Sequence, residues 1–231
     1  MGIVHQTIQR QRSLSQQTYD ALRNSILSGQ LSPGDRLIET QIASQLQVSR
    51  TPIREALRQL QQDELVVADD AGWLRVATVS EQEAGNLYDC RMALETLAVS
   101  GACRQASPDY LAKLNACLQE SKQLLDNPLT PETSDRMLAL DYLFHRTIAE
   151  SSGNHCLLTL LEHLFSKMAL LRVQTTQHNP RVLDIYTEHH GVYEAICRQD
   201  VEQASQMIQQ HLLESRTRVL TEIKQMCSSL T

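Results

Sequence analysis

Four side chains in the second half of the chain could hold a metal ion. Asp141 and His145 are one helical turn apart, beside an apolar stripe of Met137, Leu140, Phe144 and Ile148, so a helix there offers an oxygen and an imidazole nitrogen on one side. In the segment from Arg181 to Arg198, Val182, Ile185, Tyr186, Val192, Tyr193 and Ile196 define the inward face. His189 falls at the centre of that face, and His190 is turned about 100° away. In the last segment Val201, Ala204, Ile208, Leu212 and Val219 face inward, with His211 on the edge. Polar groups inside a bundle must find partners, and one divalent cation would satisfy all four. Three imidazoles and a carboxylate suit zinc, nickel or a similar first-row ion without choosing among them. Taken singly, each histidine is better explained as a core residue bonded to a backbone carbonyl, and that explanation weakens for the four together.

A second set lies near the front. Ser49-Arg50-Thr51-Pro52-Ile53-Arg54-Glu55-Ala56-Leu57 has a small, polar, basic leading end and an apolar back, the two properties a helix needs to enter a DNA major groove. Ser49 and Thr51 can bond phosphate or base edges, Arg50 and Arg54 can reach guanine or phosphate, and the first-turn N–H groups favour an anion. In isolation the same spacing also describes an amphipathic helix with a solvated basic face.

These residues need elements to position them. Ser15 to Ser28 reads as a helix with Tyr19, Leu22, Ile26 and Leu27 on one face, stopped by Gly29. The turn Leu31 to Asp35 follows, then a helix carrying Ile42, Ala43 and Leu46, a break at Gln47-Val48, and a third helix from the N-cap Ser49 to about Gln62. Its apolar residues Ile53, Ala56, Leu57 and Leu60 leave Arg50, Arg54 and Arg58 together on another face. Leu65 to Ala68 and Trp73 to Ala77 read as a hairpin with Gly72 at its tip, able to act as a wing against the minor groove or backbone. From Ser80 onward the pattern is helical, cut at Ser107-Pro108, Asn127 to Pro131, Ser151 to Asn154, His178 to Pro180 and Gln199-Asp200 into about six helices. The expected fold class is therefore mainly α. We expect a flexible N-terminus over 1–14, a winged helix-turn-helix over 15–78 and an α-helical bundle over 79–231.

Composition is consistent with this. In 231 residues, 42% are hydrophobic and 21% charged, with only 8 Gly and 6 Pro, which excludes a disordered or collagen-like chain. The polar N-terminus lacks the apolar core of a signal peptide and no apolar run is long enough to span a bilayer, so a cytoplasmic protein with no membrane partner is expected. The 6 Cys form no CxxC pair and fit reduced thiols better than a disulfide framework. Residues 1–60 carry seven Arg against four acids, whereas 79–231 carry 13 basic and 19 acidic residues. This asymmetry suits a polyanion at the front and a different task behind.

The stretches Leu31-Ser32-Pro33-Gly34-Asp35-Arg36-Leu37, Ile42-Ala43 to Leu46, and Val48 to Leu57 resemble the winged helix-turn-helix of GntR-family bacterial transcription regulators. The resemblance implies that Ser49, Arg50, Thr51 and Arg54 contact operator DNA, with Arg36 and the Gly72 turn near the backbone. Asp63, Glu64, Asp69, Asp70 and Trp73-Leu74 depart from the usual small or basic wing. The rear half is similar to the FCD ligand-binding domain of the FadR branch, through Tyr88 to Glu95, Asp141 to His145 with Ser152-Gly153-Asn154, Glu188-His189 with Glu194 to Ile196, and His211-Leu212. Residue by residue, the metal ligands of such domains fall on Asp141, His145, His189 and His211, and a small carboxylate effector completes the coordination. Arg91 shares a helical stripe with Leu87, Leu94 and Ala98, which would aim its guanidinium inward to bind that carboxylate. Alternatively Arg91 and Glu95 form a surface pair.

The expected function is a dimeric, ligand-responsive regulator binding a short inverted-repeat operator in double-stranded DNA. A competing class is a metal-dependent hydrolase or lyase fused to a DNA-binding module, disfavoured because Glu95 and Glu150 are the only further acids in reach and neither is evidently aimed at the ligands. In the plainest alternative the bundle only dimerises the DNA reader.

Overall fold

The computed structural model describes residues 13–126, 130–179 and 185–228. The expectations for the N-terminal tail over residues 1–12, and for the inward position of Val182, lie outside the described residues. The chain divides into two compact units, Met1–Ala77 and Thr78–Thr231.

In the first unit α1 spans Leu14–Leu27, α2 Glu39–Leu46 and α3 Arg50–Gln62. Ser13 caps α1 by accepting from the Gln16 N–H at 3.1 Å, which satisfies one otherwise unpaired first-turn donor. Gln47 ends α2 in the left-handed region at φ 54, and this sharp reversal lets α3 begin three residues later. The inner sides of the helices meet through Leu22, Ile26, Ile42, Ile53, Ala56, Leu57 and Leu60, all buried. Burying each of these Leu and Ile side chains is worth about 1.5–3 kcal/mol, so a polar replacement at any of them is costly. Tyr19 is only half buried, and Thr18 takes its place on the covered face of α1.

Strands β1 (Val66–Ala68) and β2 (Leu74–Val76) pair antiparallel, Val66 opposite Val76 and Ala68 opposite Leu74. Asp69 closes the hairpin: its carboxylate accepts from the Ala71 and Trp73 N–H groups at 3.0 and 2.9 Å and from Arg75 Nε at 2.7 Å. Gly72 has φ +79 with open space where a Cβ would lie, so glycine is favoured there by backbone conformation alone.

The second unit is a bundle of α4 (Glu81–Gln105), α5 (Pro108–Leu125), α6 (Pro131–Ser151), α7 (His155–His178), α8 (Tyr186–Cys197) and α9 (Val201–Ser228). Ser80, Thr130 and Asn154 cap α4, α6 and α7. Thr130 and Thr133 satisfy each other's backbone donors, which starts α6 well before the apolar stripe at Met137. The helix expected from Arg181 begins, among the described residues, at Tyr186. Val99, Leu114, Phe144, Ile148, Leu161, Val192, Ile208 and Leu212 form the core, drawing on all six helices. Cys103 and Cys117 are buried free thiols, and Cys90, Cys156 and Cys197 are exposed free thiols.

Candidate metal centre and DNA-reading helix

Helix α6 carries Asp141 and His145, α8 carries His189, and α9 carries His211. All four are buried, and one ligand atom from each lies within 4.8 Å of the others. His211 Nε2 is 3.2 Å from His145 Nε2 and 3.4 Å from His189 Nε2. Asp141 Oδ1 is 3.6 Å from the Nε2 atoms of both His145 and His189. Donors held tetrahedrally at roughly 2.0–2.1 Å from an ion stand roughly 3.3 Å apart, so these spacings suit one cation. His211, placed at an edge by its helical position, is 1% exposed.

Carboxylates behind the rings orient them. His145 Nδ1 bonds Glu95, and His211 Nδ1 lies 2.7 Å from Glu188, whose carboxylate also takes both terminal nitrogens of Arg218. A neutral imidazole with its Nδ1–H given to a carboxylate turns a bare Nε2 lone pair the other way, here toward the shared centre. Phe144 stacks on the His189 ring at 4.2 Å and 10°, holding it in plane. Converging lone pairs repel one another unless a cation stands between them, and this donor set therefore fits a divalent metal.

The electrostatics agree. Burial pushes His189 and His211 well below the usual imidazole range, and the neighbouring imidazoles push the same way. Burial is the largest influence on His145 and acts to lower it, but the Glu95 and Asp141 carboxylates together raise that ring above its ordinary value. Burial alone would raise Asp141, yet Arg172 and the surrounding imidazoles hold its carboxyl well below the carboxylate range. Glu95 is brought down to about 2 by Arg91 and His145 despite its burial.

Arg91 and Glu95 do pair at 2.6 Å, but inside the bundle rather than on the surface, with side chains 2% and 3% exposed. Glu95 is therefore an inward-facing acid, which its sequence position beside no other ligand did not reveal. Both its oxygens are engaged, by Arg91 and His145, so it orients a ligand and is not poised as a base. Glu150 pairs instead with Arg146 at 2.6 Å. Sequence reasoning missed Arg172, 3% exposed, whose Nη2 lies 3.2 Å from Asp141. It also missed the role of Tyr88, whose hydroxyl meets Ser215 at 2.9 Å beside Arg91. A charged residue recurring on an otherwise apolar helix, as Arg172 does after Leu170-Leu171, was the available signal. Tyr142 is 44% exposed, and Tyr186 and Tyr193 are only half buried.

In the first unit, Ser49 occupies the N-cap of α3 with its hydroxyl making no cap bond, and Ser49, Arg50, Thr51 and Arg54 are all exposed. Arg50 and Arg54 both bond Glu39, the first residue of α2, at 2.9 Å. Arg36 stacks its guanidinium 3.5 Å from the Trp73 ring centroid, beside the exposed Gly72 turn. Among the wing acids, Asp69 is neutralised by Arg75, and Asp63 accepts a hydrogen bond from the Tyr19 hydroxyl.

A basic, exposed helix with a hairpin wing, joined in one chain to a helical bundle with a buried Asp and three-His cluster, is the architecture of a DNA-binding transcription regulator with a second, all-helical domain. Comparison with known proteins agrees. Residues 14–73 match the bacterial regulatory proteins of the gntR family, and residues 86–214 match the FCD domain. The chain belongs to the GntR family, with a C-terminal FCD domain. It is 32% identical over 195 residues to the uncharacterized HTH-type transcriptional regulator YdhC of Bacillus subtilis (strain 168), covering 84% of this chain and 86% of that one. It is 29% identical to the HTH-type transcriptional repressor GlaR of Escherichia coli (strain K12), over 84% of this chain and 90% of the relative. The solved structure of E. coli McbR/YncC superimposes with a TM-score of 0.76 at 24% identity, covering 90% and 97% of the two chains, which establishes the shared fold. The relatives are transcription regulators, and the hydrolase or lyase alternative is set aside. Among the described residues no helix is long and apolar enough to cross a membrane.

Proposed function

We propose that the protein is a dimeric, FadR-type repressor whose hold on a short inverted-repeat operator is modulated by a small carboxylate bound at a divalent metal in the bundle. The observation carrying this reading is the convergence of Asp141, His145, His189 and His211 from three helices, all buried, with ligand atoms within 4.8 Å. A bound zinc or nickel ion would supply an open coordination position for an anionic oxygen. The chain's own residues do the rest. Glu95 and Glu188 fix the imidazoles of His145 and His211, Arg91 adds buried positive charge beside them, and the surrounding core excludes water.

In the reading unit, Arg50 and Arg54 would reach base edges or phosphates, Ser49 and Thr51 would bond at the leading end of α3, and Arg36 with the Gly72 turn would meet the backbone. A two-fold dimer makes the operator a pair of inverted half-sites. The repressor assignment draws on the name of the GlaR relative. Effector binding changes DNA affinity only to the degree that the acid favours one arrangement of the two reading units over another.

The test is metal analysis of protein purified without chelator, followed by thermal-shift titration with zinc and nickel and operator binding with and without small carboxylates. About one metal per chain, a shift of the bundle's melting temperature and an acid-dependent change in DNA affinity are expected. No bound metal together with no shift on adding either ion would overturn the sensing site and leave the DNA reader standing.

A further inference from the structure

Arg172 sits on α7, a helix that contributes none of the four donors, and its side chain is 4% exposed. Its Nη2 reaches Asp141 Oδ1 and Oδ2 at 3.5 and 3.2 Å and Ser215 Oγ at 3.3 Å. Its Nε and Nη1 are fully buried and have no hydrogen-bond partner among the described residues. An always-charged group with two buried donors unmet is costly, and by chemistry it is an anion receptor.

The charge around the donors points the same way. Glu95 pairs with Arg91 and Asp141 with Arg172, all four buried, and Glu188 pairs with Arg218 at the partly exposed edge, so three carboxylates cancel three guanidiniums, and imidazoles that ligate a metal do so uncharged. A divalent ion leaves this enclosed region with two positive charges. Enclosed charge of that size calls for an anion of matching charge.

From the two unmet donors and the surplus charge we infer that the effector is a dicarboxylate, one carboxylate at the metal and the second on Arg172. This rests on the proposed metal-site reading and narrows it. A monocarboxylate would answer one of the two charges and leave Nε and Nη1 of Arg172 unmet. A second carboxylate removes both deficits with charge-assisted hydrogen bonds. Arg172 then selects the ligand in addition to bracing Asp141.

The experiment is calorimetric titration of the full-length, zinc-loaded protein with succinate and glutarate, and with butyrate and valerate as monocarboxylates of equal chain length, with zinc content measured throughout. Each dicarboxylate is expected to bind about 10-fold tighter or more than its monocarboxylate partner. Chelation of zinc by both carboxylates could give the same preference without Arg172. The Arg172→Gln variant separates the two, and its ratio should fall to about one while the monocarboxylates still bind. Should that variant fail to fold, Arg172→Lys keeps the charge and loses the planar fork, and should reduce the ratio without erasing it. Equal binding of both classes by the unaltered protein, or a preference undiminished in a folded Arg172 variant, would overturn the inference and leave the metal reading intact. A protein that takes up no zinc, or that binds zinc and none of the acids, would overturn the sensing reading and this inference with it.

Discussion

Glu39 at the start of α2 binds Arg50 at the start of α3 with 2.9 Å between Oε2 and Nη2, and the same carboxylate takes Arg54 Nε at 2.9 Å. One acid thus gathers two exposed arginines of the reading helix across the helix-turn-helix. Exposed pairs of this kind are worth about 0–1 kcal/mol to stability, so their consequence lies in DNA binding. Glu39→Gln should leave the melting temperature nearly unchanged and raise affinity for non-operator duplex, because a negative charge facing phosphate is gone. Gel shifts on operator and scrambled DNA, across a salt series, measure the lost discrimination; unchanged binding to scrambled duplex would contradict it.

Arg50→Ala should weaken operator binding by about 1–3 kcal/mol, while folding is untouched because the side chain is 55% exposed. Fluorescence anisotropy on the operator and on single-base variants measures it. A loss confined to the operator assigns Arg50 to a base edge, a uniform loss assigns it to phosphate, and no loss removes it from the interface.

His189→Ala should abolish stoichiometric metal and the response to carboxylates while DNA affinity stays close to that of the unaltered protein. His189 supplies one of the four donors from a helix that carries no other. Elemental analysis paired with operator titrations checks this, and an undiminished metal content would remove His189 from the site.

The metal-free bundle should be most stable near pH 6.5. His189 and His211 are held below the ordinary imidazole value, so below that value the unfolded chain binds protons that the folded one refuses. Stability from this pair is present above the unfolded value and is lost as pH falls. His145 has the opposite shift: the folded state gains its proton first, and that contribution, complete below the unfolded value, is lost as pH rises through the raised one. Chemical denaturation of chelator-treated protein from pH 5 to 8 tests it, and a monotonic curve would contradict it.

Gly101→Ala should destabilise the bundle by about 1–3 kcal/mol without loss of metal ligands. A Cβ at position 101 of α4 would lie 2.8 Å from Ser152 Cβ and 3.1 Å from its backbone, at the end of α6, where neither chain can easily move. Thermal unfolding measures the loss, and an unchanged melting temperature would show that the α4–α6 approach relaxes freely.

Local signals were sufficient where local physics dominates. Pro and Gly positions, Ser49 at an N-cap and the 3–4 spacing of Ile53, Ala56, Leu57 and Leu60 are properties of a few consecutive residues, and they marked the reading helix and the breaks between bundle helices. Asp141 and His145 were legible as a pair because one helix turn sets their spacing. The start of α6 at Pro131 was legible from the prolines, and its threonine capping box was not, because it precedes any apolar period.

The sequence by itself determined the order of elements, the basic leading end of α3, His189 on the inward face of its helix, and Asp141, His145 and His211 beside the apolar stripes of theirs. Only the tertiary structure decided that Glu95 stands behind His145, that Glu188 orients His211, and that Arg172 from a fourth helix closes on Asp141. Periodicity reports which side of its own helix a residue occupies. It carries no information on which residue of another helix, 50 or 31 positions away along the chain, lies opposite, because the packing of helix on helix sets that.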